Sequence, residues 1–96
     1  MPYIYQEYRE RLNPAIQELS SKLQELGQDS RAGNLNYTFS CLINSLYPKL
    51  SYSNINEIIG VLECCKQEFY FRVSVPYESK KKLANGDVYT YEICKS

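Results

Sequence analysis

From Ile55 to Phe71 the chain carries more apolar surface than one helix face can hold. Ile55, Ile58, Ile59, Leu62, Cys65 and Phe69 recur at helical steps and define one stripe, while Val61, Cys64, Tyr70 and Phe71 fall outside it. A segment greasy on two faces needs a second covering surface. A chain of 96 residues has material for one core only. The expectation is therefore a homo-oligomer closed through the second apolar face of this helix.

The remaining segments also read as helices. Asn13-Pro14 suits a helix start, and Ile16, Leu19, Leu23 and Leu26 then form a stripe that Gly27 can end. Gln6 to Leu12 is a short charged piece before it. After a polar loop over 28–33, Leu35, Phe39, Leu42, Ile43 and Leu46 predict a second helix over 34–46, stopped by Tyr47-Pro48. Ser51 to Asn54 offers caps for the third helix, with Asn54 and Glu57 spaced as a capping box. Pro76 ends or kinks that helix, a short fourth piece precedes the Asn85-Gly86 stop, and 87–93 alternates like an extended tail or edge strand. The predicted class is all-α: three main helices, short terminal helical pieces and an extended C-terminal tail, in one helical domain over 1–96.

Several function classes are disfavoured by what the chain lacks. It has no histidine, so there is no imidazole base, no Ser-His or Cys-His nucleophile pair and no histidine-bearing metal site. Glu57, Glu63 and Glu68 share one predicted helix, but their spacing is not diagnostic, and solvated or salt-bridged carboxylates are the favoured reading. The chain is not expected to be an enzyme, and no cofactor is expected. Cys41, Cys64, Cys65 and Cys94 include no Cys-x-x-Cys pair, so zinc is disfavoured and buried, reduced thiols are expected. Eleven basic residues balance eleven acidic ones, which gives no general attraction to nucleic acid. With no long apolar run and no signal-peptide pattern, neither membrane insertion nor export is expected, and the cytoplasm is the expected location.

What remains is equipment for binding. Gly33-Asn34-Leu35-Asn36-Tyr37 places amides beside a predicted helix start, where free N–H groups can meet a phosphate, although a simple cap is the favoured reading. Ten tyrosines without a tryptophan offer flat faces with polar tips, suited to stacking on a base or on another subunit. Arg72, Tyr77 and the run Lys80-Lys81-Lys82 could meet phosphates if subunits gathered them around a pocket, against the bland reading of a solvated lysine face.

Three stretches also resemble an uncharacterised family of small phage and prophage proteins. They are Pro2-Tyr3-Ile4 with Arg11-Leu12-Asn13-Pro14-Ala15-Ile16, then Gly33-Asn34-Leu35-Asn36-Tyr37, then Ile55-Asn56-Glu57-Ile58-Ile59-Gly60-Val61-Leu62-Glu63-Cys64. The last continues through Pro76-Tyr77-Glu78 to Asn85-Gly86-Asp87-Val88-Tyr89. The resemblance implies a phage context and supplies no activity. In that context the expectation is an anti-defence sponge in the host cytoplasm. It would bind a nucleotide-derived immune signal of the CBASS or Thoeris type without cleaving it. Tyr37 or Tyr77 would stack on a base, Arg72 with Lys80 or Lys81 would neutralise phosphate, and Asn34, Asn36 and Asn85 would select the ligand. The alternative is a protein-interaction module that inhibits or regulates a host protein such as a defence protein, or a minor structural phage protein.

Overall fold

A computed structural model describes residues 2–92. The order is α1 (Gln6–Glu25), α2 (Arg31–Leu46), α3 (Tyr52–Phe69), a π-helical turn (Tyr70–Ser74) and α4 (Val75–Asn85). No strand occurs among the described residues, so the all-α class holds; the tail after Gly86 is irregular up to residue 91. Ile93, at the end of the expected extended segment, and Cys94 lie outside the described residues. The chain divides into two units, Met1–Gly60 and Val61–Ser96, with α3 running from one into the other.

In the first unit α1 is longer than the sequence implies. It starts at Gln6, and Pro14 sits inside it. The lost bond is the one Glu10 O would have accepted, on an exposed turn where water replaces it. Tyr8 and Leu12 lie eight and four residues before Ile16, so the apolar stripe already runs through the proline. Gly27, at φ +90°, ends the helix in a backbone region that glycine enters without penalty.

Helix α2 begins three residues before the expected Asn34, with Ser30 in front of it, and α1 touches it. Leu19 and Leu23 on α1, with Asn34 and Thr38 on α2, are half-buried. The connection to α3 is tied by side chains. Ser51 Oγ accepts the Asn54 N–H (3.1 Å), and Asn54 Nδ2 donates to Lys49 O (2.9 Å). The cap is therefore Ser51, and the expected Asn54–Glu57 box is not formed. Glu57 Oε2 instead accepts the Tyr47 hydroxyl at 2.7 Å.

In the second unit Pro76 does not end the helix. Phe69, Ser74 and Val75 keep right-handed helical dihedrals, and the Val75 N–H donates to Tyr70 O, five residues back. Pro76 has no N–H to offer Arg72 O, and its ring would collide with that carbonyl in a regular helix. The wider turn just ahead of it moves the carbonyl aside. Glu78 in the first turn of α4 and Lys82 in its last complement the helix dipole.

No described residue of either unit is buried. The apolar stripes are where the sequence places them, but in the single chain they are open: Ile16 is 57% exposed, Leu46 72% and Phe69 62%. Cys41, Cys64 and Cys65 are exposed too, contrary to the expected buried thiols, because nothing covers the helix faces that carry them.

Candidate functional site

The second unit holds a cleft of about 450 Å³. One wall comes from the helix. Tyr70, Ser74, Glu78, Lys81 and Asn85 follow one another at steps of three and four, with Lys82 four residues after Glu78, so they share a face of α4 and the wide turn before it. The other wall is Asp87, Val88 and Tyr89, brought back along the helix by Gly86. That glycine holds φ +94° and ψ 148°, a combination closed to other residues at ordinary cost. Asp87 Oδ1 accepts the Tyr89 N–H at 2.9 Å, closing a local turn that fixes the tail residue lining the cleft.

Chemically the cleft is mixed. Lys81 and Lys82 face it with Glu78 and Asp87, so its formal charge cancels. Such a lining suits a ligand that carries an anionic group for the ammonium ions and hydroxyl or amine donors for the carboxylates. The Asn85 amide can serve as donor or acceptor. Aromatic faces stand close by: the Lys81 ammonium lies 5.6 Å from the Tyr77 ring centroid, and Tyr89 stacks on Tyr91 with centroids 6.4 Å apart. Tyr70 meets Phe71 edge-on at 5.6 Å.

Of the eight residues expected to bind, Lys81 and Asn85 line this cleft. Tyr77 lies beneath Lys81 without lining it, and Arg72 and Lys80 belong to the same unit but are not among its lining residues. Asn34, Asn36 and Tyr37 are on α2 in the first unit. The Asn34 N–H bonds to Ser30 O and its Nδ2 to Ser30 Oγ (2.9 Å), so this amide is engaged within its own turn. A hydrogen bond to the Cys41 thiol, with the charge that thiol can carry, raises the Tyr37 phenol above its ordinary value.

Sequence reasoning missed Tyr70, Ser74, Glu78 and Tyr89. The step pattern 70, 74, 78, 81, 85 was available, but the assumed break at Pro76 hid its continuity. A smaller cleft of about 320 Å³ in the first unit lies between Pro2, Tyr3 and Ile4 and the α1 residues Arg9, Leu12 and Ile16. There Arg9 Nε donates to Ile4 O at 2.9 Å and holds the leading segment against the helix.

Among the described residues, no helix is long and apolar enough to cross a membrane, and no group of three or more His, Cys, Asp or Glu side chains could hold a metal ion. Residues 1–88 match a family model described as a domain of unknown function (DUF6899). No curated protein and no solved structure matches the chain.

Proposed function

The chain belongs to this DUF6899 family, and on that premise we propose that it is a phage anti-defence protein. In this reading it is a homo-oligomer that binds a nucleotide-derived immune signal and keeps it, uncleaved, from its effector in the host cytoplasm. The observation that carries it is the cleft of the second unit, where two lysines, two carboxylates and an amide converge beside aromatic rings. Its volume falls in the range of small-ligand sites, about 300–1,000 Å³. Lys81 and Lys82 meet phosphate, Glu78 and Asp87 accept from ribose hydroxyls or base amines, and Tyr70, Tyr77 or Tyr89 supplies a stacking face. Arg72 and Lys80 of the same unit join the ligand through neighbouring copies. The phage context rests on the motif resemblance.

The test is a thermal-shift and calorimetric screen against cyclic di- and trinucleotides and cyclic ADP-ribose isomers. A ligand at a hundred times its dissociation constant should stabilise the native state by about 2.7 kcal/mol, and mass spectrometry should recover it intact after denaturation. Lys81→Ala and Asn85→Ala should each weaken the response. Recovery of a cleaved nucleotide refutes sequestration, and silence across the panel refutes nucleotide binding.

A second reading has its own observation. Phe69, Tyr70, Phe71 and Val73 are each at least half exposed in one short run, which suits an aromatic anchor for a host protein. A stoichiometric complex with a host protein, with no nucleotide response, favours that module.

A further inference from the structure

We propose that Glu78 selects the sugar of the ligand: its carboxylate accepts from both hydroxyls of a ribose 2′,3′ cis-diol while Lys82 holds the phosphate on the 5′ carbon. This rests on the nucleotide reading above and narrows it. Signals of the ADP-ribose type, which keep a free diol, fit the cleft. Cyclic dinucleotides with 3′,5′ links, which keep one hydroxyl on each sugar, do not.

The first argument is what each carboxylate of the cleft already holds. One Asp87 oxygen accepts the Tyr89 N–H at 2.9 Å and is committed to the turn of the tail. Glu78 also lines the cleft, yet it makes no hydrogen bond and no ion pair among the described residues. Both its oxygens are open to a ligand. An ionised carboxylate only accepts, so the ligand must bring donors. Two donors on adjacent atoms fill both oxygens at once, and such paired bonds add geometric selectivity to strength.

The second argument is charge. Lys82 follows Glu78 by four residues, the spacing at which a glutamate and a lysine pair across one helical turn. No ion pair joins them among the described residues; the pair seen there is Lys66 with Glu63. Lys81 has its ammonium 5.6 Å from the Tyr77 ring centroid. Lys82 is thus the cation of this wall left for an anion, directly beside a carboxylate left for donors.

The third argument is order. Along the wall stand an aromatic ring, a hydroxyl, a carboxylate and an ammonium, at Tyr70, Ser74, Glu78 and Lys82. From Glu78 to Lys82 the helix rises about 6 Å. That is close to the reach from a ribose diol to the phosphate on its own 5′ carbon, whereas a base edge lies beyond the sugar. A nucleotide laid along the wall sets base, sugar and phosphate against matching groups in the same order.

The experiment titrates the full chain by calorimetry with adenosine 5′-monophosphate and with its 2′-deoxy counterpart. The ribonucleotide should bind about tenfold or more tightly, the ratio that one lost hydrogen bond to a charged acceptor produces. Glu78→Gln should bring the two probes to nearly equal affinity, with an unchanged circular-dichroism spectrum. Lys82→Gln should weaken both by the same factor, since both carry the phosphate. Cyclic ADP-ribose should displace the ribonucleotide, and 3′,5′-linked cyclic di-adenosine monophosphate should not. Equal affinities in the parent chain overturn the inference and leave nucleotide binding standing, and so does a deoxy penalty that survives Glu78→Gln. Silence toward every probe removes both together. The comparison of the two probes needs no variant, so it decides even where a substituted chain does not fold.

Discussion

Tyr47 donates its phenolic proton to Glu57 across the α2–α3 connection, and that bond to the carboxylate, followed by desolvation and the charge of Glu57, raises the phenol above its ordinary value of 10.0. A folded-state value above the unfolded one means stability fully present below the unfolded value and lost as pH rises through the folded one. Tyr47→Phe should therefore lower the melting temperature slightly at neutral pH. The gap from the parent should close in strong alkali, measured by circular-dichroism melts across that range. An undiminished gap would place the effect in packing instead. Glu63 behaves in the opposite sense: bonding from Gln67, then the charge of Lys66 at 3.5 Å, lowers its carboxyl below the usual value. At this scale the sequence was partly legible. Gly27 and Gly86 announce helix stops because only glycine enters their positive-φ backbone cheaply. The Tyr47–Glu57 pair was hidden, since both residues read as parts of separate local signals, one a stop and the other a cap.

Among the elements, periodicity located three main helices and misjudged the effect of two prolines. Pro14 reads as a first-turn residue and Pro76 as an end or a kink, because spacing alone does not weigh one lost hydrogen bond against a stripe that continues on both sides. In α1 the exposed turn loses that bond to water, and beside α4 the chain widens into a π turn. Replacing Pro76 by Ala restores an N–H and removes the ring that the wide turn accommodates, so the wide turn should tighten and helix stability should rise by about 1–3 kcal/mol. Tightening turns α4 by about 100° relative to the residues before Tyr70. Any nucleotide identified by the screen should then bind more weakly to the more stable variant, as thermal melting and calorimetry on the same sample would reveal.

For the molecule as a whole, the sequence disclosed an excess of apolar surface and singled out Lys81 and Asn85, which line the cleft, but not how fully the stripes would stand open. Step patterns say which residues share a face; they do not say what covers it. Phe39 on α2 is 43% exposed and Leu50 88%, although both are as apolar as core residues. An assembly held by such side chains at zero net charge should respond weakly to ionic strength. Raising salt from low to high should leave the light-scattering mass unchanged, and dissociation on adding salt would point to charge pairing.

The π turn has an arithmetic of its own. Tyr70–Ser74 contains one residue more than an α-helix needs to reach the same orientation. The surplus residue and the proline ring thus form a matched set. Shortening the turn by one residue in the Pro76→Ala background returns Lys81 and Asn85 to their original bearing on a straight helix, whereas shortening it with the ring in place drives the pyrrolidine into the carbonyl of the turn before it.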